Sequence, residues 1–151
     1  MSKMICIKKI VVFVVFFCFI FIPQITAQTS NQVALEFLKR GIECLMTGDY
    51  NNAIVNFNEV LRRNTNSALT YVMRGRAYYE LNDFERAIAD CTQAIRFDRN
   101  NTTAFILRGN AHRKIGDLTK AIDDWEAALK INPNIEEAKL NLELARKSAG
   151  E

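Results

Sequence analysis

Histidine is almost missing from this sequence: His112 is the only one in 151 residues. Proline occurs twice, at Pro23 and Pro133, and tryptophan once, at Trp125. The six glycines are scattered, so no glycine-rich loop is present to cradle a phosphate. Of four cysteines, Cys6 and Cys18 lie near the start, leaving Cys44 and Cys91 for the rest of the chain. One histidine and two separated cysteines cannot assemble a zinc site of the usual kind, and no metal or cofactor is expected. Asp123-Asp124 comes nearest to a carboxylate pair, but adjacent residues on a helix point ~100° apart and cannot face one substrate. Catalysis needs convergent groups, and none are found. The chain reads as a non-enzyme, with a site around His112 as the alternative from that class.

Long apolar runs are absent too, except at the beginning. Lys3, Lys8 and Lys9 precede an unbroken apolar stretch from Ile10 to Ile22, then Pro23 and a small residue at Ala27. A basic start, a short apolar run and a small residue at the exit describe a secretory signal peptide. The run is shorter than the ~20 residues that a spanning helix needs. Residues 1–27 are therefore expected to be removed after Ala27, giving a secreted or periplasmic protein. Retention as an N-terminal membrane anchor is the alternative, and only then is a membrane involved. Removing the three leader lysines from the 20 basic residues leaves 17, against 17 acidic residues. A neutral chain with interspersed charge has no footprint for nucleic acid, so the basic isoelectric point of the precursor points to no such partner.

What the sequence does contain is a period. Gly41, Gly75 and Gly109 are 34 residues apart. Arg40, Arg74 and Arg108 keep the same step, as do Asp49, Asp83 and Asp117, and then Ala53, Ala87 and Ala121. A repeat of this length means stacked supersecondary units. In the middle copy Tyr71, Gly75 and Tyr78 mark one helix face, Asn82-Asp83 breaks it, and Phe84, Ala87, Ile88, Cys91, Ala94 and Ile95 mark a second helix. Small residues at 75, 87 and 94 let the two helices approach closely. Arg74 and Arg108 have an acid sixteen residues on, Asp90 and Asp124, so an ion pair across each helix pair is expected.

Position by position the unit resembles the tetratricopeptide repeat. With Ala34, Ala68 and Thr102 as first positions, Phe37, Tyr71 and Phe105 stand at position 4 and the glycines at 8. The alanines stand at 20, and Phe57, Cys91 and Trp125 at 24; Pro133 alone fills the proline position 32. The resemblance spans residues 34–135. It implies an all-α, right-handed superhelical solenoid of three helix-turn-helix units, 34–67, 68–101 and 102–135. A polar, mobile segment, 28–33, would precede them. A capping helix and tail, 136–151, would follow, with a core stripe of Ile135, Ala138, Leu142 and Ala145. The register puts Cys44 and Cys91 in the cores of different units, where a disulfide is not expected. It puts His112 at position 11, beside Cys44 and Tyr78 of the other copies, as a substituted core residue. Asn100 and Asn101 each begin an Asn-x-Thr triplet, which reads as a polar inter-repeat turn, or as a glycan acceptor in a secreted eukaryotic chain.

The resemblance also implies a function. In this family the first helices line a concave groove through positions 2, 5, 9, 12 and 13. Carried onto this chain, partner contacts fall on Leu35, Leu38, Ile42, Leu45, Val72, Arg76, Tyr79, Ile106, Asn110 and Arg113. The expected partner is a protein or peptide segment. The alternative is a homodimer or assembly subunit, because the first helix looks apolar on its solvent side as well and has no cap before it. The family's clamp for C-terminal carboxylates wants Lys and Asn at positions 5 and 9 of the first unit. Leu38 and Ile42 stand there, so that clamp looks absent.

Overall fold

A computed structural model describes residues 31–149; the expected leader lies outside them. All regular structure among the described residues is helical. Helix α1 covers 31–47, followed by α2 (Tyr50–Arg63), α3 (Ala68–Glu80), α4 (Phe84–Phe97), α5 (Thr102–Lys114), α6 (Leu118–Ile131) and α7 (Glu136–Ala149). Residues 31–33, expected in a mobile lead-in, are already helical. Among the described residues no helix is long and apolar enough to cross a membrane.

The turn inside each helix pair is made by two residues of the repeat. Gly48, Asn82 and Gly116 hold positive φ of 81°, 59° and 86°, the left-handed conformation that ends a helix. The next residue is the repeated aspartate, and it serves both helices. Its N–H donates back to the carbonyl of Cys44, Tyr78 or His112, at 2.8–2.9 Å. Its carboxylate accepts from the amide of Asn52, Arg86 or Lys120 and so caps the second helix. Between pairs, Ser67 and Asn101 cap α3 and α5. The carboxamide oxygen of Asn101 accepts from the Ala104 amide at 3.0 Å, which gives the polar-turn reading of this stretch a structural reason.

Each pair packs through its glycine. Gly41 lies under the ring of Phe57, Gly75 beside Cys91, and Gly109 under the indole of Trp125. Phe57, Cys91 and Trp125 are fully buried, as are Ala53, Ala87 and Ala121. The expected ion pairs form. Arg74 donates from Nε at 2.8 Å and Nη2 at 2.7 Å to the two oxygens of Asp90, and Arg108 does the same to Asp124 at 2.9 and 2.7 Å. The third nitrogen of each guanidinium reaches back one unit, to the Asn58 carboxamide oxygen and the Thr92 hydroxyl. Each arginine thus ties its own helix pair together and braces it against the preceding one. Arg40 has no acid in the equivalent place and pairs with Glu36 on its own helix.

Helix α7 packs on α6, burying Ala138 and Ala145 with Ile135 beside them. The first unit differs from the later ones on its outward face. Thr70, Met73 and Ala77 of α3 face the preceding unit, as do Ala104, Leu107 and Ala111 of α5. The matching residues of α1 are Glu36, Lys39 and Glu43, all exposed. The outward face of α1 is charged at positions where the later units are mostly apolar.

Candidate functional site

Helices α1, α3, α5 and α7 share one register, and α3 and α5 touch directly. Of the residues expected on this face, Arg76, Tyr79, Ile106 and Asn110 come together. With Glu80, Thr103, Leu107 and Glu137 they line a recess of about 310 Å³ between α3, α5 and α7. Ile106 is 9% exposed and forms part of its floor. Tyr79 is half-buried, packed edge-on against Phe84 with ring centroids 5.4 Å apart. Burial pushes its phenol above the usual tyrosine range, and the nearby Arg113 guanidinium opposes that rise. Arg113 itself is exposed at the edge of this cluster.

The other expected contacts sit elsewhere. Leu35 is half exposed on α1, while Leu38, Ile42 and Leu45 are half-buried against Ala53, Phe57 and Ala77. The supposed free side of α1 is therefore partly covered, by α2 of its own unit and by Ala77 of the next. Val72 is 4% exposed and packs with Ala94 and Ala104; its place is in the inter-helix core. Leu69, Leu140 and Leu144, in the same register, remain half exposed.

Asn110 does more than line the recess. Its carboxamide oxygen accepts from the Trp125 indole N–H at 3.2 Å and from the Asn141 amide at 3.0 Å, and its own NH₂ donates to Glu137 at 3.1 Å. One side chain on α5 thus joins the core of α6 to two residues of α7. Asn110 is a positioning residue for the recess wall and has one donor left. Glu137 was missed in the sequence although it stands at position 2 of the fourth first-helix, in line with Leu35, Leu69 and Thr103. Leu107, on the flank facing the preceding unit, carries no register signal for the groove.

Among the described residues, the histidine and the cysteines stand apart from one another. His112 is 8% exposed, its Nδ1 is buried without a hydrogen-bond partner, and burial holds its imidazole below the usual histidine value. Cys91 is fully buried, which pushes its thiol up to about 12, and Cys44 and Cys91 are both free. Among the described residues no cluster of His, Cys, Asp and Glu could hold a metal ion.

A stack of helix pairs closed by a single helix, offering a groove along its first helices, defines a repeat solenoid of the protein-interaction class. The Tetratricopeptide repeat model matches residues 38–102 and 72–136, more than half of the chain, and the chain belongs to that family. Similar solved structures include the Arabidopsis OM64 TPR domain, at 27% identity and a TM-score of 0.77, covering 79% of this chain and 98% of that one. The first TPR of Spaghetti (RPAP3) bound to the HSP90 peptide SRMEEVD shares 28% identity with a TM-score of 0.77, covering 80% and 95%. The second TPR domain of human RPAP3, in complex with the HSP70 peptide SGPTIEEVD, shares 30% with a TM-score of 0.74, covering 78% and 98%. A search of curated proteins found no match.

Proposed function

We propose that this chain is an exported, non-catalytic module that holds a segment of another protein in the groove along α1, α3, α5 and α7. The observation that carries the reading is the composition of that face. Leu35, Leu69, Leu140 and Leu144 stay half exposed along it, with the Tyr79 recess between them. A run of exposed apolar side chains rimmed by charge is the usual mark of a partner site. Related repeat domains seat peptides ending in Glu-Glu-Val-Asp. Leu38 and Ile42 replace the Lys and Asn of a carboxylate clamp here, so such tails are not the ligand expected. Export rests on the leader-like residues 1–27.

Selection from a displayed random-peptide library tests the groove. Binders should be lost when Leu69→Glu and Leu140→Glu are combined; binders indifferent to both changes would place recognition on another face. N-terminal sequencing of the full chain after expression tests export. A start at Gln28 supports it, and an intact Met1 in the membrane fraction supports an anchor instead. A self-associating subunit is the second reading, drawn from Leu35 and Met46, which is 82% exposed on α1. It requires a dimer in light scattering.

A further inference from the structure

The recess between α3, α5 and α7 is uneven in charge. Its wall carries two carboxylates, Glu80 of α3 and Glu137 of α7, against one guanidinium, that of Arg76. The acids come from the two flanking helices, with Ile106 of α5 on the floor between them. Arg76 answers only part of this charge. It meets Glu80 at 3.9 Å, beyond hydrogen-bond length, with its own side chain 63% exposed, and such a pair contributes little. Glu137 accepts one hydrogen bond, from the neutral Asn110 carboxamide. Arg113 stands outside the lining. Burial raises the Tyr79 phenol, Arg113 opposes the rise, and Glu80 and Glu137 add to it, so both acids act on one ring at the recess.

Two carboxylates are too few for a metal ion, and among the described residues no group of three or more His, Cys, Asp or Glu could hold one. The floor beneath them is apolar, formed by Ile106, Leu107 and the Tyr79 ring. An apolar floor under an acidic wall fits a side chain with an apolar stem and a positive tip. At about 310 Å³ the recess has room for one such chain. We infer that it seats a lysine or arginine of the bound segment, the stem on Ile106 and Leu107 and the cationic head between Glu80 and Glu137. This rests on the groove reading above and adds the partner's chemistry. Leu69 and Leu140, exposed on the same face, take apolar neighbours of that basic residue.

The test repeats the library selection on the full chain and on the double variant Glu80→Gln, Glu137→Gln. Glutamine keeps an oxygen for Asn110 and removes only the charge; thermal melts beside a Glu85→Gln control check the fold. Should the double variant melt early, Glu80→Gln alone replaces it, since Glu80 accepts no hydrogen bond among the described residues. Selected peptides are measured by fluorescence anisotropy, intact and with the basic residue replaced by methionine. The expected result is Lys or Arg enriched beside apolar residues on the wild-type chain. Affinity should fall about tenfold on the double variant or on loss of the base, and the two losses should not add. Glu85→Gln should change nothing. Peptides with no enriched base, or with Asp or Glu in its place, would overturn the inference, as would additive losses. Binding lost with Leu69→Glu and Leu140→Glu but unaffected by the glutamines would overturn it and leave the groove reading standing. Peptides indifferent to every one of these changes, or a library without binders, would overturn both.

Discussion

The close approach of helices at the repeated glycine predicts that one substitution has opposite consequences in two units. A methyl added at Gly109 would lie 2.7 Å from Trp125 Nε1, 3.0 Å from its Cδ1 and 3.1 Å from the Ala121 carbonyl oxygen. None of these can yield cheaply. Trp125 is fully buried and its N–H is held by Asn110, and the carbonyl belongs to a helix. At Gly75 the same methyl would meet Asp90 Cβ at 3.3 Å, and Ala87 O and Cys91 Sγ at 3.4 Å. The Asp90 contact is tight and must give by a few tenths of an ångström, while the other two are at the edge of ordinary contact. No ring is in the way, because cysteine stands where the third unit has tryptophan. Alanine is favoured over glycine inside a helix by about 0.8–1.0 kcal/mol at either site. Overpacking costs about 1–3 kcal/mol, and displacing the indole from its acceptor roughly 0.5–1.5 more. Gly109→Ala should therefore destabilise by about 1–3 kcal/mol net, whereas Gly75→Ala should be neutral or stabilising by up to ~1 kcal/mol. Urea unfolding of the full chain, followed by circular dichroism, measures both. Equal losses at the two glycines would show that the partner at position 24 does not set the helix spacing.

Three further outcomes follow from the packing. Asp90→Ala strips the bidentate acceptor from Arg74, whose side chain is 19% exposed, and should cost roughly 2–4 kcal/mol, between the surface and fully buried limits. A control at the exposed Glu85 should lose far less, and matching melting shifts would contradict a structural pair. His112 has its folded value depressed by burial, against smaller opposing pulls from Asp124 and Asp117. Its contribution is then complete above the ordinary value of about 6.5, declines as pH falls below that, and levels off past the depressed folded value. Replacing it with Tyr, the residue of the second unit, should flatten that part of a stability–pH curve. Asn110→Leu removes the link from Trp125 to Asn141 and Glu137. Hydrogen exchange should quicken across α7 while α3 and α4 keep their protection, and unchanged α7 protection would refute the clasp.

How much of this was legible in the sequence depends on the distance over which each feature is encoded. The 34-residue step, the break at Asn82-Asp83 and the Arg–Asp pairs are all local to one unit. Spacing alone exposes them. The charged outward face of α1 carries no repeat signal, because Glu36, Lys39 and Glu43 stand there in place of the mostly apolar residues of the later units. Register also assigned Val72 to the groove without showing that α4 and α5 cover it. For Asn110 it gave the correct face but not the job, since three partners on two other helices decide that. Pairwise contacts between units set such details, and the repeat spacing does not say which residues meet.

The most direct test of the groove account is photo-crosslinking in cells that produce the full chain. Leu69 is replaced by p-benzoylphenylalanine in one variant and Val55, exposed on α2, in another. The account predicts an adduct with a different protein from position 69 and none from position 55. An adduct from position 55 alone would contradict it, and an adduct of two copies of this chain from position 69 would replace it with self-association.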